Sequence, residues 1–253
     1  MNLPKNNWEF NILNLYNYHL SGPYEFMFNF LENNQNNLKG DILEAGTFNG
    51  RTALALSLFL KEKNLPGSVR SFDTFEGFPN YSKYDDFELF KKLLETKQIT
   101  NKHFNEIVKM IDYADKVFEK SLHPSKISTS GNFSQVDFNL LKRKKEYLEL
   151  DNLIFYKGAF SSTMSGRELQ EFEYSMAFID CDLHDGYIET LEYVWPKLKI
   201  GGIVFLDEYY SLKFPGPRIA VDKYLGNLGT RSIELKNVAS EDDDFERWII
   251  KKL

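Results

Sequence analysis

Five short apolar runs, each with an acidic residue or a glycine at or near its C-terminal end, constrain the fold of this chain most strongly. They are DILEAG at 41–46, VRSFDTF at 69–75, LIFYKGAF at 153–160, MAFIDCD at 176–182 and GIVFLDEYY at 202–210. Segments with helical spacing separate them, such as the TFNGRTALALSLFLKEK that follows the first run. Strands that alternate with helices pair in parallel through right-handed crossovers, so the sequence predicts an α/β fold.

The segments outside this alternation complete the predicted architecture. Residues 1–38 place aromatic and aliphatic side chains at helical spacing and predict helices that pack on the core or over its mouth. Residues 79–132 form a charged, aromatic insertion too long for a structureless loop, which predicts a helical lid. In the tail, two alternating runs flank the acidic SEDDD and predict an antiparallel hairpin. We expect a single domain over 1–253 with seven strands, mostly parallel.

Charge and composition exclude several classes of partner. The net charge of -6 and the pI near 5.4 disfavour binding to nucleic acid or to anionic lipid, and favour a small molecule. Cys181 is the single cysteine, which excludes an intrachain disulfide and fits a reducing, cytoplasmic location. The sequence shows neither a secretory signal nor eighteen consecutive apolar residues. Apolar side chains in the N-terminal segment and the insertion offer surface for a homo-oligomer without requiring one.

The first strand leads into a turn that suits a nucleotide-like ligand. In EAGTFNG at 44–50, Glu44 is followed by Gly46 and Gly50, where glycines let a ligand approach the backbone at a helix N-terminus. Phe48 replaces the middle glycine of the dinucleotide fingerprint, which disfavours NAD. Asp73, which ends the second run, has the position of an acid that binds ribose hydroxyls. The alternative is a tight turn alone.

Acids cluster after the fourth and fifth runs. Asp180 and Asp182 end one run, and Asp207 and Glu208 end the next. Because the carboxyl ends of neighbouring parallel strands meet at one edge, these oxygens can converge on a hard cation such as Mg²⁺. The alternative is exposed acids that pair with nearby Lys or Arg. His184 follows the first pair and is a candidate proton acceptor, although a lone histidine beside acids is more often a hydrogen-bonding partner.

Taken in order, GDILEAGTFNGRTALAL, VRSFDTFEGFP, KGAFSSTM, FIDCDLHDGYIETLEYVWPKLKIGGIVFLDEYY and PGPRIAVDKY resemble the macrocin O-methyltransferase family over about residues 40 to 225. The resemblance implies a class I, Rossmann-like methyltransferase fold, S-adenosylmethionine, Mg²⁺, and methylation of a hydroxyl, typically on a sugar of a natural product or glycan. Glu208 stands where the family has a second Asp, and His184-Asp185-Gly186 replaces its usual Tyr-Glu-Ser. The insertion is also longer than usual, and both of these departures lie where the substrate is expected to bind.

The resemblance implies roles for individual residues. The expected cofactor-binding residues are Glu44, Gly46, Thr47, Gly50, Thr52, Asp73, Gly158, Phe160 and Asp180. The expected metal ligands are Asp180, Asp207 and Glu208, and the expected catalytic residues are Asp182, His184 and Asp180. Asp182 is the preferred general base because it need not bind the metal directly, with His184 as the alternative.

Three other functions compete with this prediction. A catechol or phenylpropanoid methyltransferase shares the metal acids and differs mainly in its lid. A non-catalytic, cofactor-binding partner in a biosynthetic assembly would keep the glycine turn without needing the acids. A nicotinamide oxidoreductase is motivated by the doubly wound pattern, and Phe48 together with the terminal hairpin disfavours it.

Overall fold

The computed structural model describes residues 3–119, 123, 126, 133–229, 232–239 and 243–253. In these ranges one seven-stranded sheet contains β1 (Asp41–Ala45), β2 (Val69–Asp73), β3 (Leu153–Lys157), β4 (Tyr174–Ile179), β5 (Leu198–Leu206), β6 (Ile233–Asn237) and β7 (Trp248–Lys252). Their spatial order is β3-β2-β1-β4-β5-β7-β6. The strands β1 to β5 run parallel, and β7 pairs antiparallel with both β5 and β6. The predicted α/β fold and the C-terminal hairpin are therefore confirmed.

Helices connect the strands and precede them. They are α1 (Asn7–Leu13), α2 (Glu25–Leu38), α3 (Arg51–Glu62), α4 (Leu89–Glu95), α5 (Asn101–Lys116), α6 (Phe138–Tyr147), α7 (Phe160–Thr163), α8 (His184–Val194) and α9 (Gly216–Leu228). Short 3-10 turns cover Lys83–Asp85, Arg167–Leu169, Trp195–Lys197 and Asp207–Tyr210. Helices α1 and α2 form the N-terminal segment, and α4 and α5 lie in the insertion. The STSGN stretch that ends the insertion lies outside the described residues.

Successive residues of the central strands point to opposite faces of the sheet, as a pleated strand requires. Ile42 of β1 belongs to a core with α2 and α3, whereas the next residue, Leu43, belongs to a core with α8 and α9. Met176 and Ala177 divide between the same two cores. This alternation gives the three-layer arrangement predicted from the buried apolar runs.

The insertion has a small core of its own above the carboxyl ends of the strands. Phe87 and Phe90 pack there with Ile107 of α5, Leu183 before α8 and Phe214 after β5. Apolar burial therefore fastens the insertion to the two loops that follow β4 and β5.

Strand β5 begins earlier than the apolar run suggests. It starts at Leu198 and continues through Gly201 and Gly202. The register with β4 jumps at this point, because Tyr174 pairs with Leu198 while Met176 pairs with Ile203. The two glycines thus lie in an irregular part of the strand, and Gly201 has a φ of +83°. Across the described ranges, none of the helices has the length and apolar character needed to cross a membrane.

Candidate active site

The loops that follow β1 to β5 line one cavity of about 720 Å³ at the carboxyl edge of the sheet. Gly46, Thr74, Ala159, Asp180 and Lys213 each represent one of these loops in its wall. In open α/β sheets this edge is where ligands bind. The cavity therefore lies where the sequence predicts a functional site.

Gly46 is required at its position by the backbone of the neighbouring loop. Its φ is +94°, and a Cβ built on it would lie 1.8 Å from the carbonyl oxygen of Asp180. No side chain fits at that distance, so the loop after β1 and the loop after β4 are in direct backbone contact. The glycine serves this close approach whether or not a ligand is bound.

Asp73 holds the glycine loop, residues 46–50 after β1, by accepting hydrogen bonds from its backbone. The N–H groups of Thr47 and Phe48 both donate to Oδ2 of Asp73 at 2.8 Å, and the N–H of Phe75 donates to Oδ1 at 2.6 Å. Asp73 also lines the cavity. The carboxylate that ends β2 thus fixes the turn, and its wall position leaves it in reach of a ligand.

Glu44 lies beneath the same turn and is only 1 % exposed. The Ser71 hydroxyl donates to its Oε2 at 2.6 Å, and Thr47 Oγ1 lies 2.5 Å from Ser71 Oγ. Burial, with a smaller contribution from the charge of Asp73, raises the pKa of Glu44 to about 8. A carboxyl group held protonated at neutral pH can donate a hydrogen bond into the cavity.

The three predicted metal ligands come together at the ends of β4 and β5. In this group, the acid cluster, one oxygen from each of Asp180, Asp207 and Glu208 lies within 4.8 Å of the others. Burial and then repulsion between neighbouring acids raise the pKa of Asp180 and of Glu208 well above their usual ranges.

Two tyrosines lie beside the acids. Tyr187 of α8 lies with its hydroxyl 2.7 Å from Glu208 Oε2, and this hydroxyl accepts the Glu208 N–H at 3.0 Å. Tyr24, which precedes α2, lines the cavity, and its burial followed by the charges of Asp207 and Asp180 raises the pKa of its hydroxyl well above the usual range. Its ring packs edge-on against Phe178 at 5.2 Å between ring centroids. The N-terminal segment therefore contributes a side chain to the acid cluster.

The acid cluster fits a divalent cation. Asp207 Oδ1 is buried and has no hydrogen-bond partner among the described residues. Arg247 Nη1 lies 4.0 Å from this oxygen, which makes a loose ion pair but is too long for a hydrogen bond. Three carboxylates without an imidazole or thiolate form a donor set that suits Mg²⁺. A bound cation would satisfy the unpaired oxygen and relieve the repulsion between the acids.

Asp182 lies two residues beyond Asp180 in the cavity wall. Its φ is +61°, an uncommon value for a residue other than glycine. Burial raises its pKa to about 7, while Lys213 opposes this and Asp207 adds to it. A carboxylate with a pKa near neutral pH, in the wall of a cavity, suits a general base.

His184 lies beside the cavity rather than in its described wall. Its backbone N–H donates to Asp85 at 2.8 Å, its ring stacks on Tyr84 with 4.3 Å between centroids, and Nδ1 lies 2.7 Å from Asp185 Oδ1. Asp85 and Tyr84 belong to the insertion. His184 is thus placed to anchor the insertion, and Asp182 is better placed for proton transfer.

Most of the residues expected to bind the cofactor line the cavity. They are Glu44, Gly46, Thr47, Thr52, Asp73, Phe160 and Asp180. Gly50 and Gly158 are absent from its described lining. Gly50 precedes α3 with a φ of +75°, where a Cβ would lie 2.6 Å from Leu141. Gly158 donates its N–H to the Asp73 carbonyl at 2.9 Å.

Sequence reasoning missed several residues of the cavity. Asn14 and Tyr24 reach it from the N-terminal segment, and Lys213 reaches it from the loop before α9. Their sequence neighbourhoods carry no catalytic motif. The expectation that the N-terminal segment lies over the mouth of the core was the one available signal for Asn14 and Tyr24.

Solved structures with the same fold include known methyltransferases. The O-methyltransferase NovP has a TM-score of 0.62 and 17 % identity, covering 97 % of this chain and 80 % of its own. CalS11, a calicheamicin methyltransferase, has a TM-score of 0.60 and 20 % identity, covering 89 % and 77 %. An O-methyltransferase from Bacillus cereus in complex with SAH has a TM-score of 0.51 and 14 % identity, covering 98 % and 91 %.

Sequence comparison identifies the family. No curated protein matches the chain. The family model described as a methyltransferase domain matches residues 43–209, a span that begins in β1 and ends in the acidic turn after β5. This span contains the glycine loop, Asp73 and all the acids of the cluster, and it covers more than half of the chain. The chain therefore belongs to the methyltransferase-domain family, and the protein is a methyltransferase.

Proposed function

We propose that the protein is an S-adenosylmethionine- and Mg²⁺-dependent O-methyltransferase that acts on a hydroxyl of a small molecule, most favourably a sugar of a natural product or glycan. The convergence of Asp180, Asp207 and Glu208 beside a cavity that also contains the glycine loop carries this proposal. The names of NovP, an O-methyltransferase, and CalS11, a calicheamicin methyltransferase, support O-methylation and a natural-product acceptor. The SAH bound to the Bacillus cereus enzyme supports the cofactor.

The cofactor end of the cavity is the glycine loop. Gly46 and Thr47 offer backbone to a ligand, and Asp73 and Glu44 offer carboxyl groups to hydroxyl and amino donors. Phe160 provides an apolar face at the same end. S-adenosylmethionine bound here would supply an electrophilic methyl group.

The acceptor end of the cavity contains the acids. Asp180, Asp207 and Glu208 would hold Mg²⁺, which when bound would lower the pKa of an acceptor hydroxyl and orient it. Asp182 would take the proton of that hydroxyl, because it lies in the cavity wall and its pKa is near 7.

Calorimetric titration with S-adenosylhomocysteine, with and without Mg²⁺, tests this proposal without an acceptor. We expect binding in both conditions for the wild type. Asp207→Ala should retain this binding, because the cofactor loop lies elsewhere, and should lose Mg²⁺ binding in a separate calorimetric titration. Asp151→Ala, which removes an exposed acid outside the cavity lining, is the matched control. No binding by the wild type in either condition would overturn the proposal.

A further inference from the structure

The charged residues in the described lining of the cavity are six acids and two cations. Its acids are Glu44, Asp73, Asp180, Asp182, Asp185 and Glu189, and its cations are Arg51 and Lys213. Arg51 is the first residue of α3 and lies with its guanidinium 5.9 Å from the centroid of the Tyr16 ring. Lys213 belongs to the loop between β5 and α9. The two cations therefore enter the cavity from different elements.

Hydrogen bonds hold the backbone around Lys213, whereas its ammonium has no hydrogen-bond acceptor among the described residues. The N–H groups of Lys213 and Phe214 both donate to Ser211 Oγ, at 3.1 and 3.0 Å. Phe214 is 1 % exposed and packs edge-on against Phe78 of the insertion, 6.1 Å between centroids. The Lys213 side chain is half-buried and forms neither a hydrogen bond nor an ion pair with any other residue that the structure describes.

Lys213 faces the acceptor end of the cavity. Lys213 follows Asp207 and Glu208 in the loop after β5, and it lines the same cavity as Asp182. A cation without a hydrogen-bonding acceptor thus lies in the wall that also contains the residue that would receive the acceptor's proton.

An acidic cavity repels an anionic acceptor unless a cation faces the anion. The half-buried Lys213 ammonium lacks a hydrogen-bond acceptor among the described residues, and a carboxylate or phosphate oxygen would supply one through a charge-assisted hydrogen bond. A neutral sugar would supply only the weaker hydrogen bond of an uncharged oxygen.

We propose that Lys213 binds an anionic group, a carboxylate or phosphate, on the acceptor of methyl transfer. This inference rests on the proposed function, because it takes the cavity to be the acceptor site. The enzyme would then prefer acidic or phosphorylated sugars to their neutral counterparts.

Two matched ligand pairs test the inference. Each ligand is titrated into the protein saturated with S-adenosylhomocysteine and Mg²⁺, and its binding is measured by NMR. The carboxylate arm compares 4-nitrophenyl β-D-glucuronide with the corresponding glucoside. The phosphate arm compares glucose 1-phosphate with methyl glucoside. We expect the anionic member of at least one pair to bind about 10- to 100-fold more tightly, the range for a hydrogen bond to a charged group. The arm that shows the preference identifies the anion.

Three variants assign the preference to Lys213. Lys213→Met should abolish it, Lys213→Arg should retain most of it, and Lys223→Met, which removes an exposed lysine of α9, should leave it unchanged. Equal or absent binding of both anionic ligands, with S-adenosylhomocysteine binding intact, overturns this inference and leaves the proposed function standing. A preference that survives in Lys213→Met also overturns it. Failure to bind S-adenosylhomocysteine would instead count against the proposed function.

Discussion

Replacement of Gly46 by alanine should damage both the stability and the cofactor site of this protein. A Cβ at this position would lie 1.8 Å from the Asp180 carbonyl oxygen and 2.5 Å from its carbonyl carbon. Ordinary contact between such atoms needs well over 3 Å, so the loops after β1 and β4 must separate by more than an ångström. The φ of +94° would also have to be kept by a residue that disfavours it.

The magnitude follows from these two costs. A non-glycine residue in a sparsely populated backbone region costs roughly 1–3 kcal/mol. Overpacking against a rigid neighbour costs about 1–3 kcal/mol more. We therefore expect Gly46→Ala to lower the free energy of unfolding by roughly 2–6 kcal/mol. For a chain of this length that corresponds to a fall in Tm on the order of 5–20 °C.

Thermal unfolding and calorimetry with S-adenosylhomocysteine measure the two effects. Gly226→Ala is the matched control, because Gly226 lies inside α9 with nothing within 4 Å of an added Cβ. This control should leave cofactor binding unchanged and raise stability by up to about 1 kcal/mol. A Gly46→Ala protein with the wild-type Tm and affinity would refute the argument from backbone contact.

Three further predictions concern the acids. Asp182→Asn should lower kcat about 10²- to 10⁴-fold with little change in S-adenosylhomocysteine affinity, and an unchanged kcat would exclude Asp182 as the base. Tyr24→Phe removes a buried hydroxyl of the cavity wall and should weaken Mg²⁺ binding, measured by calorimetry, because a polar group beside the acids is lost; equal affinity would show that this hydroxyl does not contribute to the cation site. The pKa of Glu44 is about 8 in the folded protein, against its ordinary 4.5, so the folded state keeps a proton that the unfolded state releases between these values. The stability of the ligand-free protein should therefore fall by roughly 3–5 kcal/mol as pH rises from 4.5 to 8. Denaturant titrations at several pH values should show that Glu44→Gln flattens this fall. A variant with the same dependence of stability on pH as the wild type would contradict the assignment.

The sequence predicted those features that follow from the pattern of a parallel sheet. Asp180, Asp207 and Glu208 meet because β4 and β5 are adjacent and their last paired residues, Ile179 and Leu206, immediately precede the acids. The same logic placed the glycine loop and Asp73 beside each other. In each case the residue that matters is at a strand end, where topology alone decides its neighbours.

Features that depend on packing between distant segments were not visible in the sequence. Tyr24 reaches the acids because its ring packs on Phe178, about 150 residues away along a chain of 253. His184 is adjacent to the acids in sequence, yet its ring stacks on Tyr84 of the insertion. Gly50 belongs to the motif, but its neighbour is Leu141 of α6. Sequence proximity to a motif therefore did not determine contact with the cavity.

Asp180 contacts both the cofactor end and the acceptor end of the cavity. Its carbonyl contacts Gly46 of the cofactor loop, its N–H donates to the Ala45 carbonyl at 2.8 Å, and its carboxyl group lies within 4.8 Å of those of Asp207 and Glu208 in the acid cluster. A cation that fixes this carboxyl group must also fix the loop that faces the cofactor, so the two affinities should be coupled. Thermodynamic linkage requires the coupling to be reciprocal: the factor by which Mg²⁺ changes S-adenosylhomocysteine affinity must equal the factor by which S-adenosylhomocysteine changes Mg²⁺ affinity. Coupling that vanishes in Asp207→Ala would place its origin in the acid cluster, whereas independent binding in the wild type would mean that the contact at Gly46 transmits nothing.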